Sequence, residues 1–193
     1  MNQPALLVMD MQNGIVSHFQ NHAGLLPAVQ KSVEAARQHN IPVIFVRVAF
    51  SEGYPEINPR NKSFSQLPQM GGMTVSDPAT QIHESIAPKK GEPVVTKHRV
   101  SAFSGSNLEV ILRAKQIDTL ILTGIATSGV VLSTLREAAD KDFAITVLAD
   151  ACADHDDEVH RVLTEKVFPR QAEVLTVDAW INNLAASRAG EAD

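Results

Sequence analysis

The chain has little of what would mark a secreted, membrane-embedded or nucleic-acid-bound protein. A single cysteine, Cys152, stands among 193 residues, so no internal disulfide can form and a reducing compartment is implied. No apolar run approaches the roughly 20 residues needed to span a bilayer. The first residues show no basic n-region, long apolar stretch or cleavage site. Neither sign of charge dominates: 17 basic and 22 acidic residues leave a net charge of −5, without a long run of either. That balance argues against a phosphate backbone or an anionic membrane as the main partner. The expectation is a cytoplasmic protein with neither nucleic acid nor membrane as partner. Hydrophobic residues make up 44% of the chain, enough for a large core and too many for disorder. The length suits one domain over residues 1–193.

Several signatures of chemistry are also missing. No G-x-G-x-x-G follows Asp10, so no dinucleotide cofactor is expected. No G-x-S-x-G elbow occurs, which counts against a serine α/β-hydrolase. Gly91 to Lys97 only loosely echoes a phosphate-binding loop, with Thr96 in place of the second glycine and His98 where Ser or Thr belongs. His155 and His160 lack the i,i+4 spacing of a helical ligand pair. The run from Asp154 to His160 therefore reads as an acidic helix N-terminus complementing the macrodipole. Cys152, among small apolar residues, reads as a buried hydrophobe.

What the chain does have is apolar runs alternating with segments of helical period. Strands are expected at Ala5–Met9, Pro42–Val48, Pro93–Thr96 (ending at Lys97), Thr119–Thr123, Ala144–Ala149 and Glu173–Thr176. Helices are expected at Ala28–His39, Pro78–Ile86, Asn107–Lys115, Gly129–Asp140, Asp156–Val167 and Ala179–Ala186, with Ser106 as an N-cap and Glu109–Arg113 as an i,i+4 pair. Strands apolar throughout and separated by helices imply an α/β fold whose parallel sheet is covered on both faces. Such sheets bind ligands beyond the carboxyl ends of their strands. The polar residues there are Asp10, Arg47, Lys97, the Thr123–Gly129 loop and Asp150. The aperiodic segment Ala49–Gly72 reads as a lid or interface.

Three segments together resemble the isochorismatase-like hydrolase superfamily, which includes many cysteine amidohydrolases. They are Leu6-Leu7-Val8-Met9-Asp10-Met11-Gln12, the run Lys97-His98-Arg99-Val100-Ser101-Ala102-Phe103, and Thr123-Gly124-Ile125-Ala126-Thr127-Ser128-Gly129-Val130. Asp150-Ala151-Cys152-Ala153 matches as well. The resemblance implies a three-layer α/β/α fold with a six-stranded parallel sheet of order 3-2-1-4-5-6. It also implies a site built from an Asp, a Lys and a Cys, no catalytic metal or other cofactor for this chain, and assembly as a homodimer or larger homo-oligomer. Asp10 matches the Asp and Lys97 the Lys, but Val130 occupies the cysteine position, as in a subgroup without the nucleophile. Val46-Arg47-Val48-Ala49-Phe50 stands where the related nicotinamidases carry metal-binding D-x-H.

The resemblance further implies a cis peptide between Ile125 and Ala126, with the loop Ile125, Ala126, Thr127, Ser128 and Gly129 aiming N–H groups at a substrate oxygen. Gln12, Arg47 and Phe103 are the expected substrate-binding residues, and Tyr54 and Arg60 are further candidates to meet an anionic substrate. Two functional readings follow. In one, the protein hydrolyses a small vinyl ether, amide or ester by acid–base chemistry of Asp10 and Lys97, without a covalent intermediate. In the other, it is a non-catalytic small-molecule-binding or scaffolding relative of the amidohydrolases. An electrostatic tension accompanies the first: a nearby Lys lowers an Asp pKa, whereas burial raises it.

Overall fold

Six apolar runs pair side by side in a computed structural model, which describes residues 3–190. In chain order the elements are β1 (Pro4–Met9), α1 (Asn13–Val16), α2 (Leu25–Gln38), β2 (Val43–Val48), α3 (Leu67–Met70) and β3 (Val94–Lys97). They continue with α4 (Leu108–Ala114), β4 (Thr119–Ile125), α5 (Leu132–Asp140), β5 (Ala144–Ala153), α6 (Asp157–Val162), β6 (Glu173–Leu175) and α7 (Val177–Gly190). The strands form one parallel sheet in the order β3-β2-β1-β4-β5-β6, as the sequence led us to expect.

Alternation along the strands sends successive side chains to opposite faces, so each face carries its own core. Leu7, Met9, Ile44, Val46 and Val95 belong to one, with Leu108, Leu112 and Leu135 of α4 and α5. Leu6, Val8, Val43 and Phe45 belong to the other, with Val29 and Val33 of α2 and Trp180 of α7. Burial on both faces explains why the central strands read as continuous apolar runs rather than alternating ones.

Local departures have physical causes. Helix α2 starts at Leu25 rather than Ala28 because Pro27 lies in its first turn, where a missing N–H costs nothing. The helix expected over Pro78–Ile86 is instead two 3₁₀ turns, Pro78–Thr80 and Glu84–Ile86, separated by a bridge between Gln12 and Ile82. Asn107, not Ser106, is the cap residue of α4, although the Ser106 hydroxyl does accept from the Leu108 amide at 3.1 Å. The Glu109–Arg113 pair forms at 3.6 Å. Strand β5 runs on to Ala153, and its register against β4 slips between Leu122 and Gly124, where Leu122 faces Val147 but Gly124 faces Cys152. The helix expected from Gly129 begins only at Leu132, after an irregular turn over Thr127–Val131. The helix expected over Asp156–Val167 passes into a wider π turn at Leu163.

Candidate active site

Asp10 stands where β1 ends, with its amide donating to Val46 O of β2 at 2.8 Å. Its φ of 57° lies in the left-handed region, which aspartate and asparagine tolerate better than other side chains. Lys97 ends β3, and β2 separates the two strands. The lysine side chain closes that distance: Nζ lies 3.0 Å from Asp10 Oδ2 and donates to Arg99 O at 2.9 Å. Both side chains are nearly sealed from solvent, at 2% exposure for Lys97 and 8% for Asp10. Asp10 Oδ1 is also buried, and it has no hydrogen-bond partner among the described residues. Burial pushes the Asp10 carboxyl above the usual carboxylate range, and the Lys97 charge and hydrogen bond, which pull the other way, do not cancel it. The two effects weighed from sequence are thus resolved in favour of burial.

The turn after β4 carries the third motif. The Ile125–Ala126 peptide is cis. Gly124 has φ +138°, and a Cβ there would lie 2.1 Å from Met9 O, so only glycine lets β4 approach β1 at this level. Val130 is buried in the same apolar cluster as Met9, Val46, Val95 and Ala102. Gly129, with φ −97° and ψ −106°, breaks the helical path. The second and third motifs are knitted together, because the Ala102 amide donates to Thr134 Oγ1 at 3.0 Å and Ser101 Oγ donates to Glu137 Oε2 at 2.6 Å.

Several residues expected at the site are engaged elsewhere. Gln12 is fully buried, and its amide clamps main chain: Nε2 donates to Val48 O at 2.9 Å and Thr80 O at 3.1 Å, and Oε1 accepts from Val48 N. Both of its N–H donors are therefore committed within the protein. Arg47 follows Phe45 on the face of the sheet opposite Lys97, where it donates to Thr96 Oγ1 and Gln81 Oε1. The Phe103 ring packs 6.0 Å from Phe143 with the Lys141 ammonium over it. Tyr54 donates to Gly72 O, and Arg60 bonds Asn58 within its own loop. Of the loop N–H groups, Ser128 N donates to Asp154 Oδ2 at 2.7 Å and Gly129 N to Ala126 O at 3.1 Å, so neither points free toward a substrate.

The structure also brings in two residues that sequence reading set aside. Asp154 accepts from the Ser128 amide, and His160 Nδ1 lies 2.7 Å from Thr127 Oγ1. Asp156, two residues on from Asp154, is the true cap of α6, accepting from Glu158 N and Val159 N. The acidic run thus does serve a helix N-terminus, but its first and last members turn to the β4 loop. Spacing along one helix could not reveal this, because the partners lie on another element.

Cys152 is buried and its thiol is pushed up to about 12, chiefly by burial. Among the described residues, no group of three or more His, Cys, Asp or Glu side chains is placed to hold a metal ion. Among the same residues, no helix is long and apolar enough to cross a membrane. A cavity of about 390 Å³ opens beside the start of α2, lined by residues that include Asn13, Phe19, His22 and His83 but neither Asp10 nor Lys97.

Residues 4–179 match the model of the isochorismatase domain. The chain is 34% identical over 182 residues to the uncharacterized isochorismatase family protein YwoC of Bacillus subtilis (strain 168), covering 93% of each. It is 29% identical over 210 residues to the ureidoacrylate amidohydrolase RutB of Stutzerimonas stutzeri (strain A1501), covering 96% of this chain and 81% of that one. Among solved structures, N-carbamoylsarcosine amidase from Thermoplasma acidophilum superposes with a TM-score of 0.76 at 28% identity, covering 92% of this chain and 98% of that one.

Proposed function

Since the chain belongs to the isochorismatase family, we propose that it hydrolyses a small acyclic amide at Asp10, with water rather than a thiol as the nucleophile. The observation that carries this reading is the divided carboxylate of Asp10. Oδ2 is held by Lys97, whereas Oδ1 is buried and, among the described residues, unpartnered. A buried polar atom without a partner is costly, and a substrate or water proton at Oδ1 removes that cost. The relatives whose names state an activity cleave C–N bonds of ureido and carbamoyl compounds, which favours an amide over a vinyl ether or ester.

In this reaction Oδ1 takes a proton from water as its oxygen attacks the substrate carbonyl carbon. Burial makes Asp10 a stronger base than an ordinary carboxylate. The same oxygen then returns that proton to the departing nitrogen, so the products are an acid and an amine and Asp10 is regenerated. Lys97 keeps the carboxylate oriented and supplies positive charge beside the developing oxyanion. Val130 bears no lone pair and forms no acyl intermediate.

Val130 also supports a second reading. Its aliphatic side chain sits in the apolar core, which suits a protein that binds an amide without cleaving it. Incubation with a panel of ureido acids, N-carbamoyl amines and simple amides, followed by detection of released amine or ammonia, separates the two. Turnover that disappears in Asp10→Asn supports the hydrolase. Saturable binding with no turnover anywhere in the panel replaces it with the binding protein.

A further inference from the structure

The turn that follows β4 is attached on its far side to a different part of the chain. Two hydrogen bonds cross from the segment after β5. Ser128 N donates to Asp154 Oδ2, and Thr127 Oγ1 meets His160 Nδ1, each at 2.7 Å. In the sheet order, β5 lies on one side of β4, and β1 and β3, which carry Asp10 and Lys97, lie on the other. The turn is therefore gripped from the side opposite the buried ion pair. We propose that His160 and Asp154 are positioning residues that fix the Thr127–Val131 turn over the Asp10–Lys97 pair. The catalytic part of this inference rests on the hydrolase reading given above.

Three observations support an active grip rather than incidental packing. Gly129 departs from helical angles, so the turn lacks the continuous ladder that would hold a helix by itself. Thr127 is fully buried and Asp154 only 5% exposed, so water has little access to these two ends of the bonds, while His160 is half-buried. The partners are also in the right chemical forms. Burial lowers the His160 imidazole, and His22 adds to the lowering, against the pull of Asp154 and Asp157. The ring is thus neutral near neutral pH, with one nitrogen available to accept from the Thr127 hydroxyl. For Asp154, burial works toward the neutral acid, but the hydrogen bonds from Ser128 and from the backbone of Asp156 and His155 outweigh it and keep the carboxyl below its usual range. The carboxylate is an acceptor only, suited to a backbone N–H.

The grip selects which amides of the turn face the site. By holding Ser128 N toward Asp154, it turns that donor away from any substrate and fixes the orientation of the peptide planes on either side. A misplacement of about 1 Å in such a frame costs on the order of a hundredfold in rate.

The test pairs amide exchange with kinetics in full-length protein. Hydrogen–deuterium exchange over residues 126–131 is expected to quicken about tenfold or more in His160→Leu and in Thr127→Val. It should stay near wild type in His160→Asn, which keeps a hydrogen-bonding atom close to the place of Nδ1, and in Thr127→Ser. On any amide that the wild type hydrolyses, His160→Leu should lower kcat about ten- to a hundredfold with KM nearly unchanged, and His160→Asn should restore most of the loss. Unchanged exchange in both His160→Leu and Thr127→Val overturns the grip, and faster exchange with unaltered kcat overturns its positioning role in the reaction. If the wild type cleaves nothing, the hydrolase reading falls, and with it the catalytic part of this one, while the exchange comparison still decides whether the turn is held.

Discussion

Lys97 Nζ reaches Asp10 Oδ2 at 3.0 Å across the width of β2, and the companion oxygen of the same carboxylate is left buried with no partner among the described residues. A buried ion pair gains from Coulomb attraction but is opposed by desolvation of both ions, and removing one partner strands the other. Asp10→Asn keeps a side chain that accepts the positive φ at this position but leaves Lys97 uncompensated. The expected outcome is a loss of about 3–5 kcal/mol in denaturant unfolding. Turnover of a responsive amide should fall on the order of 10²–10⁴-fold. Replacing both partners, as Asp10→Asn with Lys97→Met, should recover part of the stability and none of the activity.

The raised carboxyl of Asp10 sets the sign of two pH effects. The hydrolase reading requires Asp10 ionised as the base, so the acid limb of a kcat profile should lie above the ordinary carboxylate range. In Lys97→Met that limb should move higher still, because the charge opposing the shift is gone. Stability runs the other way. The folded protein binds this proton more tightly than the unfolded chain, so the contribution is fully present below the ordinary Asp pKa and fades as pH rises through the elevated one. Denaturant midpoints taken across the mildly acidic range report it.

Val130→Cys tests whether the frame of the thiol enzymes persists. The change removes one methyl-sized group from a packed site, at a cost of about 0.5–1.5 kcal/mol by analogy with Ile→Val. If the frame persists, the variant gains turnover that iodoacetamide abolishes, and peptide mapping finds the label at position 130. In the wild type the same reagent should leave folded protein unlabelled, because Cys152 is buried with its thiol held near 12.

Gly124→Ala addresses the close approach of β4 to β1. The added carbon meets the carbonyl oxygen of Met9 at 2.1 Å and the backbone angle is one that alanine avoids. Backbone cannot yield as a flexible side chain does. A drop of roughly 4 kcal/mol or more, or failure to accumulate folded protein, is expected in thermal unfolding.

The sequence made the parallel sheet legible because fully buried strands write themselves as uninterrupted apolar runs, with polar punctuation where they end, whereas the strand order was legible only through the family resemblance. The positions of Asp10 and Lys97 were legible for the same reason, as the charged residues that close the apolar runs of the two strands flanking β2. The side-chain partners of Gln12, Arg47 and Phe103 were not. A strand-end position gives only the neighbourhood, whereas the partners of each are fixed by side-chain direction: Val48 and Thr80 for Gln12, Thr96 and Gln81 for Arg47, and Phe143 for Phe103. Asp154 and His160 were hidden by a different cause. Their bonds span 26 and 33 positions of chain, beyond any local period, and they depend on an extension of β5 that no turn residue announces.

That extension has a structural consequence of its own. Between the paired levels Leu122–Val147 and Gly124–Cys152, β5 uses more chain than β4 to cover the same height. The surplus is slack paid out just ahead of Asp154, and it lets the following segment lean back toward its neighbour instead of leaving the sheet directly. Shortening β5 by deletion inside Leu148–Ala151 would keep the strand's apolar character and its flanking helices while withdrawing the tether. A chimera carrying an uninterrupted fifth strand would therefore be a well-formed sheet whose Thr127–Val131 turn had lost its moorings.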